Sequence, residues 1–262
     1  MEWREADGVR WLQAGLSGAT AAFTTRIGGV SGPPFDRLNL GVLTDDETGS
    51  VIENRHRLAA ALGFAPERIA VGRQVHGGEL HAHAAPQSPS PFAQPGSPIP
   101  EVDGHLTAEV DLALLVFVAD CVPVALAGPG GVAMLHCGWR GLAGAGGDRP
   151  GGGMIARAVE AIGATDAAIG PSIGPCCYGV GEEVLDAFAP LGSGISTAQG
   201  LDLPEVTRRL LREAGVERIE SSGLCTGCEP ELFFSHRRDA GRTGRQAGLV
   251  WRDRSEAQRC PV

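Results

Sequence analysis

The chain has 262 residues, and its 22 basic and 31 acidic residues leave a formal net charge of −9. Every basic residue is arginine, so lysine Schiff-base chemistry, P-loop nucleotide binding and protein-kinase chemistry are excluded. The acidic balance argues against nucleic acid as the main partner, and any phosphate or carboxylate must be held by arginine, a planar fork that does not act as a base.

The first residues, Met1-Glu2-Trp3-Arg4-Glu5, lack the basic start and apolar run of a signal peptide. No apolar run approaches the roughly 18 residues of a membrane span. Seven cysteines in apolar or glycine-rich stretches fit free or metal-bound thiols in a reducing compartment. A soluble cytoplasmic protein, without membrane or nucleic-acid partners and monomeric, is the expectation.

In chain order, Ser50-Val51-Ile52-Glu53 reads as a capping box opening a helix that runs to about Leu62 and stops at Gly63. Pro86 to Pro100 holds six prolines in fifteen residues and reads as a mobile surface loop with little to bury. Leu112 to Ala119 is an unbroken apolar run, expected as a buried strand, with shorter buried strands at Val132–Leu135 and Ala167–Ile169. Helices are expected over Met154–Ile162, over Gly181–Leu191, and from an Asp202 cap to near Gly215. The loose alternation predicts one α/β domain over 1–262, layered around a mixed central sheet.

Loops at strand ends are where α/β folds build sites. Cys121 and His136 each follow a buried strand, and His76 lies in a turn-rich stretch. Two imidazoles and one thiolate would suit zinc and leave a fourth position open; the alternative is three ordinary core residues. His56, His81, His83 and His105 lie in glycine-poor or exposed-looking contexts. Cys225-Thr226-Gly227-Cys228 is a lone CxxC without a visible second pair, and Cys176-Cys177 is expected to line a turn. Gly170-Pro171-Ser172-Ile173-Gly174 has the letters of a nucleophile elbow but no helix directly after the serine. Arg26 before Gly28-Gly29, Arg237-Arg238 and Arg245 could cradle phosphate or be solvated surface arginines.

Seven ordered motifs then combine. They are Thr24-Thr25-Arg26-Ile27-Gly28-Gly29-Val30-Ser31, Leu38-Asn39-Leu40-Gly41, Gln74-Val75-His76-Gly77, Ala119-Asp120-Cys121-Val122-Pro123, His136-Cys137-Gly138-Trp139-Arg140-Gly141, Gly170 to Tyr178, and Phe233-Phe234-Ser235-His236-Arg237-Arg238. Together they resemble the laccase-domain family, also called polyphenol oxidase-like or purine nucleoside phosphorylase proteins, over nearly the whole chain. The resemblance implies an α/β fold related to cysteine-hydrolase-like toxins and one zinc on His76, Cys121 and His136. It also implies an active-site Arg26 contacting phosphate or substrate. Asp120 is a candidate acid or base by adjacency. Asn39, Gln74, Arg140, Cys176 and Arg237 lie in the same motifs and are the candidate substrate-binding residues.

The implied activities are phosphorolysis of adenosine, inosine, guanosine and methylthioadenosine, and deamination of adenosine. The alternatives are a hydrolase editing a peptidoglycan precursor, with Cys121 as nucleophile if no metal claims it, and a copper-dependent polyphenol oxidase. Three departures from the family pattern bear on the pocket wall: Cys137, which would bring a second sulfur near the site, Gly179, and the glycine-rich Gly144–Gly153.

Overall fold

The structure, a computed structural model, describes residues 1–144 and 153–254; most of the Gly144–Gly153 stretch, and Cys260, lie outside the described residues. Strands β1 (Glu2–Ala6), β2 (Val9–Leu16) and β3 (Ala19–Thr24) form an antiparallel meander. Helix α1 (Thr48–Leu62) and the short strands β4 (Ile69–Ala70), β5 (Leu80–Ala82) and β6 (Gly104–Thr107) follow. The buried middle is β7 (Ala113–Val118), β8 (Val122–Gly128) and β9 (Gly131–Cys137). Then come α2 (Trp139–Ala143), α3 (Met154–Ile162), β10 (Asp166–Ile169), α4 (Glu182–Phe188), α5 (Leu203–Glu213), β11 (Arg218–Ser221) and β12 (Gln246–Arg252).

The strands form two six-stranded mixed sheets, ordered β1-β2-β3-β12-β7-β4 and β11-β10-β8-β9-β6-β5. This corrects the expectation of one central sheet, and strand alternation supplies the reason. Leu114, Val116 and Val118 of β7 face Ala125, Ala127, Val132 and Met134 of the other sheet. Ala113 and Leu115 point the opposite way, toward Leu58 and Ala59 of α1. Val122, Val124 and Leu126 of β8 pack under α3 and α5. An unbroken apolar run needs two buried faces, and here a second sheet covers one of them. The result is four layers: helix, sheet, sheet, helices.

Helix ends follow local chemistry. Gly63 terminates α1 in a left-handed conformation, φ 77°, and the Asp202 carboxylate accepts the Glu205 N–H at 2.9 Å to cap α5, both as expected. The start of α1 does not follow the capping box. The helix begins at Thr48 and Ser50 sits inside its first turn. Asp46 fixes the entry earlier: its carboxylate accepts from the Ser31 hydroxyl, the Asn39 amide and the Glu47 N–H.

The Pro86–Pro100 segment holds no helix or strand, but it does bury surface. Phe92 is fully buried. The Arg55 guanidinium donates to the Pro91 and Phe92 carbonyls at 3.1 and 3.0 Å, and Gln87 exchanges hydrogen bonds with the Val71 backbone. Arginine and glutamine thus tie the prolines down where ladder bonds are unavailable. Among the described residues no helix is long and apolar enough to cross a membrane.

Candidate metal centre

Hairpin geometry brings two of the three candidate ligands together. In the β8–β9 register Pro123 faces His136 and Val122 faces Cys137. Side chains alternate along a strand, so Cys121, two residues before Pro123, shares the face of His136. The same alternation turns Cys137 away, into the core beneath α2 and α3. The expected second sulfur near the site is therefore corrected: Cys137 is fully buried on the opposite face, where burial pushes its thiol well above the ordinary range.

His76 arrives from a loop, with a left-handed backbone at φ 59°. The ligand-capable atoms of His76, Cys121 and His136 all lie within 4.8 Å of one another, and the two imidazole rings stand edge to face at 4.8 Å. Gly138 leaves the space: a Cβ there would meet His76 Cδ2 at 3.0 Å and Cys121 Sγ at 3.4 Å. Cys121 is half-buried, His136 buried and His76 exposed, so one side is open.

Asp103, which sequence reasoning missed, organises this loop. It is fully buried. Its Oδ1 accepts from His136 Nδ1 at 2.8 Å and from the His76 N–H at 3.0 Å. Its Oδ2 accepts from the Gly77 and Val75 N–H groups at 2.7 and 3.2 Å. A carboxylate on Nδ1 fixes the tautomer and leaves Nε2 as the ligating nitrogen. Burial pushes the Asp103 carboxyl up, but the His136 hydrogen bond and charge, with the loop amides, outweigh it and hold it below the ordinary range. Burial also opposes charge on Cys121, but attraction to His136 and hydrogen bonds from both histidines bring the thiol down to about 6. His136 is penalised by burial yet raised to about 9 by the Cys121 charge and Asp103. The site is thus built to hold a thiolate.

The other candidates separate. Asp120, at φ 95°, has both carboxylate oxygens engaged: Oδ1 by the Thr226 hydroxyl and Oδ2 by the Arg237 N–H, each at 2.6 Å. The Arg237 guanidinium lies 5.0 Å over the Tyr178 ring and donates to the Gly179 carbonyl. Burial pushes the Tyr178 hydroxyl up to about 12, and the charges of Cys121, Arg237, Asp120 and Arg140 all act on it. Tyr178 is thus tied through Arg237 to Asp120, the neighbour of Cys121. Arg140 stacks on Trp139 at 4.6 Å.

Two of the candidate substrate-binding residues are engaged within the protein itself. The buried Asn39 amide spends itself on Thr44, Asp46, Gly41 and Arg245, and Gln74 clasps the Phe117 backbone with both side-chain atoms. Asn39 is thereby saturated, whereas the half-buried Gln74 keeps one N–H and one lone pair. Arg26 donates to the Asp36 and Pro230 carbonyls and the Asp36 carboxylate and lies 4.5 Å over Phe234. Arg238 spends its fork on Asp239, Thr226 and Phe233, whereas Arg245 donates from Nη1 to the Thr243 and Gly244 carbonyls. Ser172 is buried without a side-chain partner and no helix follows it, as expected. His83 and His105 are buried rather than exposed and share a 3.0 Å hydrogen bond. Cys176 does not join this site; it meets Cys177, Cys225 and Cys228.

The family model for multi-copper polyphenol oxidoreductase laccase matches residues 20–253. A purine nucleoside phosphorylase from Deinococcus radiodurans is 40% identical, over 97% of this chain and 97% of its own. The purine nucleoside phosphorylase YlmD of Geobacillus stearothermophilus is 39% identical, over 92% of this chain and 94% of its own. The crystal structure of a YlmD from that organism superposes with a TM-score of 0.82 at 38% identity, over 96% of this chain and 98% of that one.

Proposed function

The chain belongs to the multi-copper polyphenol oxidoreductase laccase family, and from that premise we propose that it is a zinc-dependent purine nucleoside phosphorylase. In this reading it cleaves adenosine, inosine, guanosine and methylthioadenosine with phosphate and also deaminates adenosine. The observation that carries it is the convergence of His76, Cys121 and His136 with one side open. Relatives alike over nearly the whole chain bear the name purine nucleoside phosphorylase, which supports the same reading. A cytoplasmic monomer with a single toxin-related α/β domain belongs to it too.

The donor set fits zinc, with three protein ligands and room for a fourth. Two histidines and a cysteine also suit a blue copper, but a multicopper oxidase needs a further histidine cluster. Among the described residues, one metal-capable group contains histidine. When bound, zinc supplies Lewis acidity at the open position.

The protein's own groups do the positioning. Asp103 keeps the proton on His136 Nδ1 and gathers the His76 loop. Asp120, with both oxygens engaged, holds the Arg237 backbone and Thr226, so its role is positioning rather than proton transfer. Arg237 stacks on Tyr178 and its N–H holds Asp120, the neighbour of Cys121 in sequence, Arg140 stacks on Trp139 in the helix that follows His136, and Arg26 offers the N–H groups its carbonyl and carboxylate partners leave over. These arginines offset the charge of phosphate as it attacks the sugar's anomeric carbon and the purine departs with the bonding electrons.

Adenosine incubated with phosphate should give adenine and ribose 1-phosphate, with inosine from deamination. No product above a His76→Ala control overturns the reading.

A further inference from the structure

We propose that Cys176, Cys177, Cys225 and Cys228 form a second, structural site for zinc, separate from the His76–Cys121–His136 centre. The CxxC lacked a second pair in the sequence; the fold supplies it. Ser172 and Cys225 form a parallel bridge, with the Thr226 N–H donating to the Ser172 carbonyl at 3.0 Å. Two tight turns then close on each other, one with Cys177 N–H to Gly174 carbonyl and one with Cys228 N–H to Cys225 carbonyl. The four sulfurs end within 4.8 Å of one another, with close pairs at 3.6, 3.4 and 3.5 Å.

These spacings match a ligand shell. Four thiolates at about 2.3 Å from zinc in a tetrahedron sit about 3.8 Å from each other. Neutral thiols are weak hydrogen-bond partners and give little reason for four to converge at a surface where Cys176 and Cys228 are exposed. Two further observations point the same way. The Gly174 N–H donates to Cys225 Sγ at 3.2 Å, a contact that favours thiolate. Gly227 provides clearance, since a Cβ there would lie 2.9 Å from Cys177 Sγ and 3.7 Å from Cys225 Sγ.

The site would clamp the wall of the first one. Tyr178 directly follows Cys177. Thr226, between Cys225 and Cys228, donates its hydroxyl to Asp120 and its carbonyl accepts from Arg238. Zinc here would lock the 172–178 turn to the 225–228 turn and thereby hold Tyr178 and Asp120 in place.

The test isolates this cluster from the first centre. A His76→Ala/Cys121→Ala protein, purified without added metal, is assayed for zinc per chain by elemental analysis. One zinc is expected, and none after adding Cys225→Ser and Cys228→Ser. Cobalt(II) titrated into the reduced, metal-free His76→Ala/Cys121→Ala protein should give intense thiolate-to-cobalt absorption, absent in the quadruple variant. Thiol-reagent counting on the zinc-loaded His76→Ala/Cys121→Ala protein adds a second readout: chelation should expose four additional reactive cysteines. Absence of zinc and of the cobalt bands in the His76→Ala/Cys121→Ala protein overturns the proposal. So does a mass lowered by the hydrogens of disulfide formation among these cysteines. Neither result touches the phosphorolysis reading, which the adenosine assay decides independently.

Discussion

Replacing Asp103 with asparagine keeps the volume and removes half of the acceptor capacity. The carboxylate now serves four donors, two on each oxygen: His136 Nδ1 and the His76 N–H on Oδ1, the Gly77 and Val75 N–H groups on Oδ2. An asparagine offers one oxygen, so whichever way it turns, its NH2 faces two donors. A buried donor left unsatisfied costs about 1–3 kcal/mol, which puts Asp103→Asn about 2–6 kcal/mol below the parent in stability. If the NH2 faces His136, it also draws the imidazole into the other tautomer, with the proton on the nitrogen meant for metal. Losing a carboxylate behind a ligating histidine typically weakens metal binding 10–100-fold. Zinc affinity measured by competition with a chromophoric chelator, alongside urea unfolding of the metal-free protein, reads the two effects separately. An Asp103→Asn protein with parental zinc affinity and stability within about 0.5 kcal/mol of the parent would refute the role given to Asp103.

Three further outcomes are expected. Gly138→Ala places a Cβ 3.0 Å from His76 Cδ2; it should weaken zinc binding by 10-fold or more while leaving the far-ultraviolet circular dichroism unchanged. Arg55→Met should cost roughly 3 kcal/mol or more, because the Leu40, Pro91 and Phe92 carbonyls lose a charged donor; limited proteolysis should then cut within 86–100. Burial, with charge from His81 and between themselves, depresses His83 to about 4 and His105 to about 3. The unfolded chain takes up these protons near pH 6.5, before the folded one does, so the contribution of these two histidines to stability is complete above pH 6.5. It falls by about 1.4 kcal/mol per pH unit per histidine toward pH 4. Urea titrations across that range should show the slope, and His105→Phe should flatten it.

Much of the site was legible from residue chemistry and order along the chain. His76, Cys121 and His136 were marked by ligand type, by strand ends and by the resemblance, and the fold brings them together. Asp103 was not, because a lone aspartate before a glycine carries no local pattern; its meaning lies in four donors that only the tertiary structure gathers. The pairing of Cys176-Cys177 with Cys225 and Cys228 was hidden for a related reason. About fifty residues separate the pairs, and they meet because the parallel β10–β11 pairing continues into the bridge at Ser172 and Cys225. Among the elements, α3 was read to its ends because its apolar period and flanking glycines agree. The meander β1–β3 was missed: β3 is rich in alanine, a weak strand former, and gains its place from pairing with β2 and β12. Asn39 and Gln74, singled out by their motifs, fasten loop and strand backbone, a role that residue type alone does not reveal.

The three first-centre ligands do not stand on equal footing. Cys121 and His136 sit at the end of a buried hairpin, whereas His76 rides an exposed loop with a left-handed residue, tied back through Asp103. The ligand set is therefore hemilabile. A metal held here would exchange by lifting of the His76 arm while the thiolate and His136 kept their grip, and its exchange rate would follow the opening of that loop and not unfolding of the sandwich.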